Sequence, residues 1–141
     1  MLCNTRNLGK LPGETLETTL IELALMNERF YLTGSRFFGT ATVHSDYDFF
    51  TQDSDMVRYR LRTLGFAVLP ISESEYKDVN TVLVMRKMFP GSDIWIDVQL
   101  QKDAILKNFV QNQLYEILHY DNASKARRTE IWNMLYAAAG L

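Results

Sequence analysis

The chain has 141 residues, 47% of them hydrophobic, and a net charge of −2. That length suits one domain around one core, and the hydrophobic content excludes a chain kept unfolded by its charge. The near-neutral balance excludes a general nucleic-acid coat or a polybasic membrane patch, while leaving room for a local basic groove. Cys3 is the only cysteine, which excludes an intrachain disulfide and fits a reducing compartment. No apolar run approaches the roughly 18 residues of a membrane helix. The opening "MLCNTRNLGK" has no signal-peptide core. The expectation is a cytoplasmic protein with no membrane association.

Residues 1–13 read as a polar arm closed by Pro12 and Gly13. "ETLETTLIELALMNERF" follows with Leu16, Leu20, Leu23 and Ala24 at helical spacing, and Ile21 and Leu25 widen the apolar face. "FYLT" is a short strand running into Gly34. "RFFGTA" supplies one helical turn or more, and "SDYDFFT" is the second strand. Asp53 or Ser54 caps the next helix, whose stripe is Val57, Leu61 and Leu64. Gly65 stands where a helix ends in a left-handed cap. "FAVLPI" is a strand, "SESEYKD" a polar loop and "VNTVLVMRKM" a strand ending at a Pro90–Gly91 turn. "DIWIDVQL" is the last strand. Two helices close the chain within residues 102–141, "KDAILKNFVQNQLYEILHY" and "SKARRTEIWNMLYAAA", the second capped by Ser124. The order implies a single α+β domain over residues 1–141: a mixed sheet with packed helices and a C-terminal helical pair.

The chemistry concentrates in "GSRFFGTATVHSDYDFF", residues 34–50. Strand side chains alternate, so Asp46 and Asp48 share one face, with Tyr47 and Phe49 on the other. Two carboxylates this close repel unless a cation lies between them, and oxygen ligands suit Mg²⁺ or Mn²⁺. Gly34 at a strand–helix junction lets a phosphate approach the backbone. Ser35 adds a hydroxyl there, and Arg36 a charge. In "DIWIDVQL", Trp95, Asp97 and Gln99 share a face opposite Ile94, Ile96, Val98 and Leu100. An aspartate within an apolar strand is costly unless it is solvated, paired or metal-bound.

These elements together resemble the minimal nucleotidyltransferases of the DNA-polymerase-β-like superfamily. Gly34, Ser35, Gly39, Ala41, Ser45, Asp46, Asp48 and Phe49 match that family's pattern without a gap, and Arg36 follows Ser35 as is frequent there. Phe38 replaces the arginine often found before the second glycine. The resemblance spans about twenty residues. It implies a nucleotidyltransferase-like fold and a phosphate site at Gly34, Ser35, Arg36 and Ser45. It also implies two Mg²⁺ ions, or Mn²⁺, on Asp46, Asp48 and a third carboxylate. Asp97 takes that place, with Asp93 as fallback. The implied reaction moves a nucleoside monophosphate from a triphosphate such as ATP to an acceptor hydroxyl, releasing pyrophosphate.

With only two helices after this core, the acceptor is expected to be a protein or RNA. A second copy of the chain, or a toxin-like protein partner, is the other means of completing the site. Two rival readings are a non-catalytic nucleotide- or protein-binding module on the same fold, and an aminoglycoside-modifying enzyme with Glu73, Glu75 and Asp78 as its acidic pocket. His44 and His119 lack zinc-like partners. Arg58, Arg60 and Arg62 read as a charged helix surface. Lys125, Arg127 and Arg128 oppose the dipole at a helix start, which favours an acidic or phosphate partner. Trp132, Met134, Leu135 and Tyr136 read as core or interface.

Overall fold

The computed structural model describes residues 3–4, 30–70, 78–89, 91–117 and 120–141. Most of the N-terminal arm, the expected first helix, most of the polar loop with Glu73 and Glu75, Pro90 and His119 lie outside the described residues; of the arm, Cys3–Asn4 form a short strand. What is described is an α+β arrangement built on a mixed sheet. Its strands are β1 (Cys3–Asn4), β2 (Phe30–Thr33), β3 (Tyr47–Gln52), β4 (Ala67–Leu69), β5 (Thr81–Met88) and β6 (Trp95–Gln101). They lie in the order β1-β2-β3-β6-β5-β4. The central pair β3 and β6 is parallel, as is β1 with β2, while β2–β3, β5–β6 and β4–β5 are antiparallel. The helices are α1 (Ser35–Phe38), α2 (Asp55–Thr63), α3 (Ala104–Glu116) and α4 (Lys125–Ala138).

Alternation along the central strands divides the sheet into two chemically distinct faces. On one face Leu32, Tyr47, Phe49, Ile96, Val98 and Leu100 are fully buried and meet Val57 and Leu61 of α2. Burying each large apolar side chain contributes about 1.5–3 kcal/mol, so this face holds the fold. The other face carries polar groups and receives α3, whose buried stripe is Ala104, Lys107, Val110, Gln111 and Leu114. Gln111 ties that helix to β2: its Nε2 donates to the Leu32 carbonyl at 2.9 Å, and its Oε1 accepts from the Thr33 hydroxyl. A second cluster of Val110, Leu114, Tyr120, Trp132 and Tyr136 joins α3 to α4.

The ends of the elements follow from particular residues. Ser54, not Asp53, caps α2, accepting from Val57 N at 3.1 Å. Asp53 instead pairs with Arg58 at 2.8 Å. Gly65 (φ 94°) closes α2 with its N–H on Arg62 O and Phe66 N on Leu61 O, the two-bond pattern of a left-handed cap. Ser124 caps α4 through Arg127 N. The helix expected from residue 102 onward starts at Ala104 behind an Asp103 cap and stops at Glu116. Asn80 secures that start: its Oδ1 accepts from Asp103 N at 2.8 Å and its Nδ2 donates to Asp103 O at 2.9 Å. Among the described residues no helix is long and apolar enough to cross a membrane.

Candidate active site

Gly34 leaves β2 with φ 70°, a conformation that side chains with a Cβ rarely adopt. A Cβ at this position would collide with the Asp48 carboxylate. The turn therefore needs glycine twice over, for its backbone angle and for the carboxylate packed against it. After it, α1 is a single turn. The Phe37 and Phe38 N–H groups bond back to Gly34 O, each at 3.0 Å. The first N–H groups of such a turn have no intrahelical partner.

Arg36 takes a different place from the one its motif suggested. It is 5% exposed, and its guanidinium stacks 3.7 Å from the Tyr47 ring centroid. It donates to Ser45 O at 2.8 Å and Thr42 O at 3.3 Å. It ties the 39–46 loop to β3 and does not line the cavity beside that loop. Ser45 does line the cavity, and its Oγ accepts from Thr42 N at 2.9 Å. His44 is exposed, outside the site.

Strand register sets four side chains in a row across the polar face: Thr33, Asp48, Asp97 and Arg86, on β2, β3, β6 and β5. Asp97 thus lies beside Asp48 on the neighbouring strand. It is 1% exposed and held in a two-pronged fork by Arg86, at 2.9 and 3.0 Å. Burial pushes the Asp97 carboxyl above the usual carboxylate range. Arg86 pulls it back, and the negative charge of Asp46 adds to the rise. Arg86 also lies 4.5 Å from the Trp95 ring centroid. Asp46 sits one residue ahead of β3, and its Oδ1 accepts from Trp95 N at 3.1 Å. Asp93 is exposed in the turn between β5 and β6, ahead of the strand that was expected to contain it.

A cavity of about 350 Å³ opens over this face. Gly34, Ser35, Ser45, Asp46 and Asp48 line it together, whereas Arg36 and Asp97 do not. Lys125, Arg128, Thr129 and Trp132 from α4 line it as well, adding two cations. Gln99, Asp78 and Lys107 complete the polar lining. Lys107 is 3% exposed and donates to Gln99 Oε1 at 2.7 Å, with Asp78 Oδ2 at 3.8 Å. Burial lowers the Lys107 ammonium from its ordinary range, and the charges of Asp78 and Asp48 offset part of that.

The motif reading did not single out Lys107. Its signal was a lysine in the same helical stripe as Ala104, Val110 and Leu114, a core position that ordinarily takes an apolar residue. Asp78, one of the three acids of the expected loop pocket, lines this cavity and also accepts from the Asn80 and Thr81 N–H groups.

A comparison with protein-family models finds no match, and neither do comparisons with curated proteins and with solved structures. Among the described residues no three His, Cys, Asp or Glu side chains come together as a ready metal cage. Mg²⁺ seldom uses one; it takes one or two carboxylates and completes its shell with water and substrate phosphates. Asp46 and Asp48, two oxygen donors on one cavity wall, fit that pattern. Asp97 in its present fork does not extend it.

Proposed function

We propose that this chain is a metal-dependent nucleotidyltransferase, transferring a nucleoside monophosphate from a triphosphate to an acceptor hydroxyl on a protein or RNA. One observation carries the reading: a single cavity is lined by the Gly34–Ser35 turn, the Asp46–Asp48 pair and the cations Lys125 and Arg128. Carboxylates and cations lining one cavity suit a polyphosphate that arrives with its own divalent ion. Asp46 and Asp48 would hold Mg²⁺ or Mn²⁺, which when bound neutralises charge on the phosphates and on the departing pyrophosphate.

The remaining work belongs to the protein's own groups. Gly34 and Ser35 receive phosphate oxygens at the turn, with Ser45 beside them. Lys125 and Arg128 draw the polyphosphate toward α4, so that its α-phosphorus faces the acceptor. The acceptor oxygen bonds to that phosphorus as the bond to the pyrophosphate oxygen breaks, and a carboxylate takes the hydroxyl proton. Asp97 suits that last role, and a share in a second metal ion, only when Arg86 releases it.

The Arg86 fork favours one alternative, a nucleotide-binding module without turnover. One experiment tests both readings. The protein is incubated with each of the four α-labelled triphosphates, Mg²⁺ and host lysate. Metal-dependent label on protein or RNA, lost in Asp48→Asn, supports the transferase. Metal-dependent triphosphate binding without any label transfer supports the module. An oligomer or a toxin-like partner that completes the site belongs to the same proposal, and the labelled species would identify the acceptor.

A further inference from the structure

Lys107 is an expensive residue where it stands. A lysine in the core stripe of a helix gives up hydration worth several kcal/mol, and Leu or Met there would pack without that cost. What surrounds it explains the choice. Lys107 lines the cavity, its ammonium hydrogen-bonded to Gln99 and 3.8 Å from Asp78, which line it too. The rings of Phe50 and Trp132 lie 5.3 and 5.0 Å away. Its position is firmly set. Gln99 is paired in register with Phe50 on the central strands, and Gln111, one turn further along α3, is locked to β2. Asp48 is close enough for its charge to act on the ammonium. Lys107 is therefore a buried lysine held in place by Gln99 and paired with Asp78, and the charges of Asp78 and Asp48 favour its ammonium form against the cost of burial.

Resting on the nucleotidyltransferase reading, we infer that Lys107 is the built-in counter-charge of the cavity, a positioning residue that disfavours a bare divalent cation and favours one that arrives on a polyphosphate. With the cavity empty, the ammonium balances Asp48 and Asp78. A lone divalent cation entering there meets like charge. A metal–polyphosphate brings negative oxygens that the same ammonium attracts. Lys107 thus sets an order of preference among ligands without itself binding metal.

Two affinities measured on the intact protein test this: Mn²⁺ alone, followed by its paramagnetic resonance signal, and inorganic tripolyphosphate in the presence of chelator, followed by calorimetry. Lys107→Met should bind Mn²⁺ about tenfold more tightly and tripolyphosphate about tenfold more weakly, because one charge is removed beside both ligands. Lys107→Arg, which keeps the charge, should stay near the parent in both assays. Lys107→Met combined with Asp78→Asn restores the local balance and should bring Mn²⁺ affinity back toward the parent. It also protects the test against a single variant that folds poorly. Opposite changes in the two affinities support the inference. A residue that merely props the helix would weaken both or neither, and either result overturns it while leaving the transferase reading intact. If neither parent nor variant holds Mn²⁺ at a site that Asp46→Asn and Asp48→Asn abolish, both readings fall together.

Discussion

At the scale of single residues, Gly34 and Asp48 act as a unit. Gly34→Ala both strains a φ of 70° and drives a methyl group into the Asp48 carboxylate. It should cost about 1–3 kcal/mol in a urea melt and weaken triphosphate binding in the same protein. Asp48→Asn should keep the fold and lose transfer by about a thousandfold or more, read in a single-turnover assay. Arg86→Met leaves the Asp97 carboxylate buried without its counter-charge, a loss of about 3–5 kcal/mol at neutral pH. The pH dependence has a definite sign. Asp97 already has a raised pKa when folded, and removing Arg86 raises it further. Between the ordinary carboxylate pKa and that raised value, the folded variant binds more protons than the unfolded chain, so its stability falls as pH rises. Thermal melts from pH 4 to pH 8 should show the gap between Arg86→Met and the parent widening with pH. A constant gap would mean that Asp97 does not carry the cost.

At the scale of elements, what could be read in the sequence was local. The Gly34 turn, the Asp46–Asp48 alternation, the Ser124 cap and the Gly65 ending rest on neighbours within a few positions, and period-2 and period-3.6 patterns report those directly. The partners of Arg36, Asp97 and Lys107 could not be read this way. Arg36 binds carbonyls on a loop that folds back over it. Asp97 finds Arg86 across a strand pair whose register also contains an irregularity between Thr81 and Leu83. Lys107 reaches Gln99 only because α3 crosses back over β6. A charge in an apolar pattern shows that a partner is needed, but not which one. Asn80 is a similar case, a buried amide whose purpose appears only when Asp103 is placed beside it. Asn80→Ala should leave the Asp103 N–H and C=O without their bonds to it and cost about 2–3 kcal/mol by denaturant melt. It should also reduce tripolyphosphate binding, because the start of α3 sets the position of Lys107.

At the scale of the whole molecule, the two faces of the sheet do different work. The apolar face under α2 stabilises the fold, and the polar face under α3 and α4 stores charge around a cavity. Ligand binding should therefore be visible as added stability of the whole chain. Mg²⁺ with triphosphate at about a hundredfold over its dissociation constant adds about 2.7 kcal/mol, a rise of about 10 °C in Tm for a domain of this size. Chelator, or Asp46→Asn with Asp48→Asn, should remove most of that rise. A rise that survives both changes would place the polyphosphate away from the carboxylates.

The charge-balanced face also gives the protein its own optical readout. The chain has two tryptophans, and each ring lies against one of the site's internal cations: Trp95 against Arg86, Trp132 against Lys107. An indole's emission colour and yield follow the electric field at its ring, so these two fluorophores look at separate halves of one site. Release of Asp97 by Arg86 would be seen by Trp95, and filling of the cavity by Trp132. Trp95→Phe and Trp132→Phe would each leave a protein with one light source. Stopped-flow emission from the pair would then show whether the fork opens before, with or after the cavity fills, a sequence of events resolved in time without any attached dye.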